Sequence, residues 1–219
     1  MTLKSAIETA GRITTGNTKM PGTSFPISAK RCQTGSKLAA VEGSVCSKCY
    51  ALRLQSFRPS VDKGWEANYL KFTRMLETNP QGWADAAAYQ INQAIAKGSE
   101  PYHRWFDSGD LQSVAMLRAI VLVCDVTPNV RHWLPTREAK IVKDYLAPYG
   151  EFPSNLVVRV SSTMIDDLPR GGYSHTSTVH RHGHEHAGQE CEASKRNNQC
   201  GPCRACWSLK VSNVSYPLH

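Results

Sequence analysis

The sequence predicts an α/β fold on a parallel sheet, either a reduced or partial parallel α/β (TIM) barrel or an open parallel sheet, with a cysteine-rich C-terminal extension. Helical and strand-like patterns alternate from residue 65 to residue 160, which implies crossover units between parallel strands. A chain of 219 residues with 41% apolar residues can bury one ordinary core. No Gly-x-Gly-x-x-Gly motif follows a strand, which excludes a doubly wound nucleotide-binding fold.

The individual elements follow from residue patterns along the chain. Residues 1–25 are small and polar, so we expect a loosely ordered strap there. Apolar side chains then recur at helical spacing between residues 65 and 97, and Asn79-Pro80 divides this segment into two helices. The later elements are a strand at 102–106, a helix at 113–124 capped by Ser113, a strand at 130–134, a helix at 139–146 and a strand at 156–160.

Composition changes near residue 168, which predicts two parts. Residues 1–168 would form the partial α/β barrel domain with its N-terminal strap, and residues 169–219 a His/Cys-rich metal-binding extension. Residues 169–199 have little apolar content and predict a long, solvated loop. Its five histidines would titrate near neutral pH, and a native metal site is the less favoured interpretation: His175, His180, His182, His184 and His186.

Seven of the eight cysteines fall into two groups, which indicates metal ligation. Three thiolates, in the first group, suit a four-iron cluster (4Fe-4S) with one open iron, although Cys32 could instead be a core residue. Four cysteines, in the second group, form a closed structural set for an iron–sulfur cluster or for zinc, and spacing alone does not separate the two. The first group is Cys32, Cys46 and Cys49, and the second is Cys191, Cys200, Cys203 and Cys206. The eighth, Cys124, lies on the apolar side of a predicted helix and is expected in the core.

Small or charged residues follow three of the predicted strands. Since ligands gather at the carboxyl ends of parallel strands, these residues predict a shared site beside the first cysteine group. The alternative is that turns are polar in any case. The residues are Asp107, Ser108, Gly109 and Asp110 after one strand, Thr136, Arg137 and Glu138 after the next, and Ser161 and Ser162 after the last.

The net charge of +8 is concentrated near the first cysteine group. Residues 1–63 hold ten basic and three acidic side chains, whereas the remainder holds 16 and 15. A solvated basic face or a site for an anion would explain this excess, and nucleic acid is a candidate partner on charge alone. The sequence has no apolar run long enough to span a membrane and no signal-peptide pattern at its start, so we expect a cytoplasmic protein without a membrane partner.

Four motifs together resemble the bacteriophage "gene product eighty-eight" family over about residues 20–210. They are Cys46-x-x-Cys49-Tyr50-Ala51, Arg104-Trp-Phe-Asp-Ser-Gly-Asp-Leu111, Trp133-Leu-Pro-Thr-Arg-Glu138 and Cys200-x-x-Cys203-x-x-Cys206-Trp207. That family has no assigned activity, so this resemblance implies a relationship and a phage origin more than a function.

A looser resemblance is to radical S-adenosylmethionine enzymes, in which three cysteines after the first strand hold a four-iron cluster. It implies that Cys32, Cys46 and Cys49 are cluster ligands, with thirteen residues between the first two where that superfamily has three. It further implies that five residues contact the cofactor: Ser108, Gly109 and Asp110 at its amino group, and Arg137 and Ser161 at its carboxylate and ribose.

The sequence therefore predicts a phage-derived iron–sulfur protein resembling radical S-adenosylmethionine enzymes, with an unknown small-molecule or macromolecular substrate. The alternative is a non-catalytic binding module stabilised by iron–sulfur or zinc, which engages host protein or nucleic acid through its basic N-terminal region. Whether the chain is an enzyme stays open at this stage.

Overall fold

A seven-stranded, all-parallel open sheet organises the protein, and the computed structural model describes it over residues 1–218. Its strands lie in the order β1-β2-β3-β4-β5-β7-β6. The predicted α/β class with an open parallel sheet is confirmed. The strands are β1 (Thr23–Phe25), β2 (Tyr102–Trp105), β3 (Arg131–Thr136), β4 (Leu156–Ile165), β5 (Thr176–His180), β6 (Gln189–Glu190) and β7 (Asn213–Pro217).

Seven α-helices accompany the sheet in the described part of the chain, together with short 3-10 helices at Ala29–Arg31, Glu192–Arg196 and Ala205–Trp207. The α-helices are α1 (Leu3–Ala10), α2 (Thr34–Leu38), α3 (Tyr50–Phe57), α4 (Pro59–Thr78), α5 (Pro80–Ala96), α6 (Val114–Val126) and α7 (Ala139–Tyr149). Across residues 1–218, no helix combines the length and the apolar character that crossing a membrane requires.

Local signals explain where the predicted helices begin and end. The break between α4 and α5 is confirmed: Pro80 opens α5, and the Asn79 side chain accepts a hydrogen bond from the Gly82 N–H at 2.8 Å. Ser113 is the N-cap of α6, as predicted, and its hydroxyl accepts from the Met116 N–H at 3.1 Å. These caps satisfy N–H groups that have no partner inside the helix.

The helices cover one face of the sheet and form the main core with it. Phe25, Phe72, Trp83 and Trp105 are completely buried there. Phe72 of α4 and Trp83 of α5 stack with ring centroids 3.7 Å apart, and the edge of Phe25 approaches both rings. Cys124 is buried in the same core, as predicted. These aromatic contacts fix the long helices against the strands that lead to the candidate site.

The C-terminal residues cover the opposite face of the sheet. Trp207 donates a hydrogen bond from its indole N–H to the His103 carbonyl at 2.9 Å and packs edge-on against Trp133 at 5.2 Å. The predicted boundary at residue 168 lies between β4 and β5, and the strands beyond it extend the same sheet. Both halves of the sequence therefore build one sheet and its two faces.

Three expectations about element content are wrong. The predicted strap contains α1 and β1, because residues 3–10 have a capping box at Thr2 and bury Ala6 and Ala10. The loop expected at 169–199 contains the buried strand β5, and β6 follows it. The described residues form seven strands, of which the pattern located three, at 102–106, 130–134 and 156–160. The missed strands are polar, and side-chain hydrogen bonds such as Thr178 to Ser215 at 3.0 Å replace apolar packing.

Candidate metal and cofactor site

The first cysteine group lies in the segment that follows β1, at the carboxyl edge of the sheet. Cys32 ends the 3-10 helix Ala29–Arg31, and its N–H donates to the Ala29 carbonyl at 3.2 Å. Cys46 and Cys49 share one turn, closed by a hydrogen bond from the Cys49 N–H to the Cys46 carbonyl at 3.2 Å. Cys49 then serves as the N-cap of α3. Two short turns thus present the three thiols.

Gly35, in α2, marks the point where two of these thiols converge. A Cβ built on Gly35 would lie 3.6 Å from the Cys46 sulfur, 3.7 Å from the Cys32 sulfur and 3.1 Å from the Cys32 Cβ. The separation of the two sulfurs therefore cannot exceed the sum of 3.6 Å and 3.7 Å. Only glycine leaves this space free without a shift of Cys32.

Burial and neighbouring charges set the protonation of these thiols. The pKa of Cys32 is raised to about 12, chiefly because the thiol is desolvated and then by the nearby charges of Asp110, Cys49 and Cys46, while Arg137 opposes the rise. Burial also raises the pKa of Cys46, and the positive charge of Arg137 again offsets part of this rise. Asp110, Arg137 and the other cysteines thus affect the charge on Cys32, as charged groups do across a shared, partly buried region. A bound cation would favour the thiolate form that ligates metals.

Asp110 connects the turn after β2 to the turn after β3. Its carboxylate accepts hydrogen bonds from the Thr136 hydroxyl at 2.6 Å, the Arg137 N–H at 2.9 Å and the Leu111 N–H at 2.8 Å. Burial raises the pKa of Asp110 to about 6 against the lowering effect of these donors. Asp110 therefore positions the Arg137 backbone beside the cysteines.

Gly109 has a packing role that sequence reasoning did not identify. Its φ of +83° favours glycine, and a Cβ there would lie 2.3 Å from Ile27 Cγ1 and 2.9 Å from the Ile27 carbonyl oxygen. The N–H of Ile27 also donates to the Ser108 carbonyl at 3.0 Å. Close contact with Ile27, rather than room for a ligand, thus explains this glycine.

Two donors at this edge are buried without partners. Among residues 1–218, the Ser108 hydroxyl and the Arg137 Nε–H make no hydrogen bond, although both atoms are inaccessible to solvent. Buried polar atoms of this kind are uncommon and call for a ligand, an ion or a water molecule. Ser161 differs, because its hydroxyl is paired with that of Ser177 at 2.9 Å.

Glu138 is a further residue of this site whose role the sequence did not indicate. Its carboxylate accepts from both the N–H and the hydroxyl of Thr34, each at 2.8 Å. Thr34 begins α2, which carries Gly35 and directly follows Cys32 and Gln33. Glu138 therefore holds the cysteine-bearing segment to the turn after β3. Its partner lies 104 residues away in sequence, so no local pattern could have revealed the contact.

The second cysteine group gathers at the other end of the chain. The Cys203 N–H donates to the Cys200 carbonyl at 3.1 Å, and the Cys206 sulfur lies 3.2 Å from the Tyr216 hydroxyl. Burial is the main cause that raises the pKa of Cys206 to about 12, with Cys191 and Cys200 contributing like charge. All four thiols therefore lie in one region, packed against Trp207, Val214 and their neighbours.

The histidine-rich segment brings two of its five histidines together. The His180 and His186 rings are 4.6 Å apart, and the Glu190 carboxylate is 3.9 Å from one and 4.0 Å from the other. His180 is buried, with Nδ1 2.7 Å from the Ser215 hydroxyl.

Within residues 1–218, no group of three or more His, Cys, Asp or Glu side chains is set at the spacing of ligands to a metal ion.

The protein is therefore an α/β protein with an all-parallel sheet. One cysteine group follows the first strand, and the other lies in the C-terminal segment that covers the face of the sheet away from the helices. The chain belongs to the gene product 88 family, which matches residues 3–209. No curated protein and no solved structure matches it.

Proposed function

We propose that the protein is a phage iron–sulfur protein that acts on S-adenosylmethionine, with the cysteines after β1 as its cluster ligands. The observation that carries this proposal lies at the carboxyl edge of the sheet. There the Cys32 and Cys46 sulfurs both lie within 3.7 Å of the position that a Cβ on Gly35 would take, and Asp110 accepts from the Arg137 N–H. A parallel sheet collects ligands at this edge.

Within residues 1–218 the cysteines are not set at ligand spacing, so they would have to move closer together to hold a cluster. Three features of this edge support the proposal. Three cysteines suit a cluster with one open iron, Gly35 leaves the space between two of the sulfurs free, and two buried donors lack partners. When bound, a four-iron cluster supplies the electron for reductive cleavage of S-adenosylmethionine and an open iron for the amino-acid end of that molecule.

The chain itself would bind and orient the cofactor. The Arg137 guanidinium has a free Nε–H for a carboxylate, and the Ser108 hydroxyl can donate to the same ligand. Asp110 acts mainly on position, because its hydrogen bonds hold the Arg137 backbone, while its remaining lone pairs can accept from an ammonium group. Gly109 shapes the turn after β2 through its contact with Ile27. Ser161, on β4, would contact the ribose or carboxylate of the cofactor.

For the second cysteine group we propose a structural role, with an iron–sulfur cluster or zinc bound by Cys191, Cys200, Cys203 and Cys206. The support is their position: they lie beside Trp207, whose ring packs on the sheet, and Cys206 is buried. A metal here would hold the C-terminal segment over the sheet and stabilise the fold. We place the protein in the cytoplasm of the infected host, where thiols stay reduced.

Metal and sulfide analysis of anaerobically purified protein tests both assignments. We expect either about eight irons per chain or about four irons and one zinc. Cys46→Ser should lose about four irons, Cys203→Ser should lose the other centre and destabilise the fold, and Cys124→Ser is the control that keeps both. Protein that contains zinc but no iron would contradict the proposal and favour the non-catalytic binding module.

A further inference from the structure

Helix α3 presents an unusual exposed stripe next to the candidate site. Tyr50, Leu54 and Phe57 are 63%, 38% and 74% exposed, and their spacing places them along one side of the helix. The adjoining side of the helix is anchored, since Ala51 and Gln55 are buried. We call this stripe, with the basic residues Lys48, Arg53 and Arg58 that flank it, the α3 surface.

The basic residues of the α3 surface are exposed and, within the described chain, form no ion pair. Nearby basic residues differ: Lys30 pairs with Asp62 at 2.8 Å, and Arg31 pairs with Glu66. The positive charge of the α3 surface is therefore available to an anionic partner.

The α3 surface is continuous with the candidate site. Tyr50 directly follows Cys49, and its hydroxyl donates to the Asp107 carbonyl at 2.6 Å. Arg104 lies beyond it on β2, stacked over the Trp133 ring at 4.7 Å, and its buried Nε–H has no partner among residues 1–218. A chain bound along α3 would thus reach from solvent to this edge of the sheet.

We propose that the α3 surface binds single-stranded nucleic acid. Exposed aromatic rings stack on unpaired bases, and unpaired Arg and Lys side chains bind the phosphates between them. Arg53 and Phe57 are one helical turn apart, which interleaves charge and ring. A duplex keeps its bases stacked internally, so it cannot use the rings, and an acidic peptide would use only the charge. The identity of the substrate rests on the proposed function. If that function holds, the substrate is a nucleotide within the bound single strand.

The test is fluorescence anisotropy with labelled oligonucleotides of mixed sequence, single-stranded and duplex, over a range of salt concentrations. Single strands should bind more tightly than the duplex. Phe57→Ala should weaken binding by about 5- to 100-fold through lost stacking. Arg53→Glu should weaken binding and reduce the slope of log affinity against log salt by about one.

Matched controls on α7 separate a local effect from a general one. Tyr149→Ala and Lys143→Glu change an exposed ring and an exposed charge away from the α3 surface, and binding should stay within about twofold of the original protein. Circular dichroism verifies that each variant folds. Preferential duplex binding, no binding to single strands, or equal losses in the α3 and α7 variants would overturn the proposal.

The same experiment keeps this inference distinct from the proposed function. Stacking and phosphate contacts on α3 do not require a metal, so the strand should bind whether or not iron is present. If anaerobically purified protein contains no iron and yet binds single strands, the absence of iron refutes the proposed function while the α3 proposal stands. Iron-loaded protein that fails to bind them would refute the α3 proposal alone.

Discussion

At the scale of single residues, the site depends on three residues whose size or charge allows few substitutions. Gly35 leaves space between two sulfurs, Gly109 lies against Ile27, and Glu138 holds Thr34 at the start of α2. Sequence patterns placed Gly109 and Glu138 at strand ends but did not show their packing roles, because Ile27 and Thr34 lie more than 80 residues away in sequence. Gly35 was not singled out by any pattern.

Gly35→Ala should disturb the first cysteine group. The added methyl group would lie 3.1 Å from the Cys32 Cβ, so Cys32 must shift, and we expect a loss of about 1–3 kcal/mol of unfolding free energy together with iron from this group. Gly64→Ala in α4 is the matched control, since nothing lies within 4 Å of its added Cβ; it should stabilise the protein by up to about 1 kcal/mol. Urea unfolding of both variants measures the difference, and equal stability of the two would refute the assignment.

Stability should fall in mild acid because two histidines are buried in the neutral form. Burial lowers the pKa of His132 from 6.5 to about 3, and it lowers that of its neighbour His103 as well. The unfolded chain takes up a proton at His132 at a higher pH than the folded chain does. The unfolding free energy is therefore at its full value above pH 6.5 and falls as the pH decreases toward 3. The decrease due to His132 is about 2 kcal/mol between pH 6.5 and pH 5.

Unfolding free energies measured across that pH range test the histidine prediction. The decline should become smaller by about that amount in His132→Phe, which cannot take up a proton. An unchanged pH dependence in this variant would show that His132 is not held neutral by burial.

At the scale of elements, Arg159 of β4 holds the C-terminal segment in place. It is completely buried, and its guanidinium donates to the carbonyls of Ala205, Ser208 and Val211 at 2.9, 3.0 and 2.9 Å, with further bonds to Cys206, Thr176 and Ser212. Burial lowers its pKa without a paired carboxylate. Carbonyl oxygens thus take the place of a counter-ion, and the cysteine-rich segment closes over the sheet.

Arg159→Met should therefore release this segment. The substitution leaves several buried carbonyls without donors, and we expect a loss of at least about 3 kcal/mol in unfolding free energy, with faster proteolysis after residue 204. Arg170→Met, at an exposed arginine, is the control and should change stability by less than about 0.5 kcal/mol. A similar small effect at both positions would show that Arg159 does not hold the segment.

At the scale of the whole molecule, the sequence predicted the parallel architecture and the two cysteine groups. Apolar periodicity was strong from α4 to β4, where the core is aromatic and aliphatic. It failed for β5, β6 and β7, because these strands are stabilised by polar pairs such as Thr176 with Asn213 at 2.8 Å. The role of Arg159 was equally hidden, since its partners in the C-terminal segment lie some 46 to 53 residues farther along the chain.

The central claim, that the first cysteine group serves a cofactor site, is tested most directly by electron spin resonance of the reduced, anaerobic protein. We predict a four-iron signal that changes when S-adenosylmethionine is added, a change that Arg137→Ala weakens and that Cys203→Ser, if folded, retains. A reduced cluster whose spectrum stays the same at saturating S-adenosylmethionine would contradict the claim.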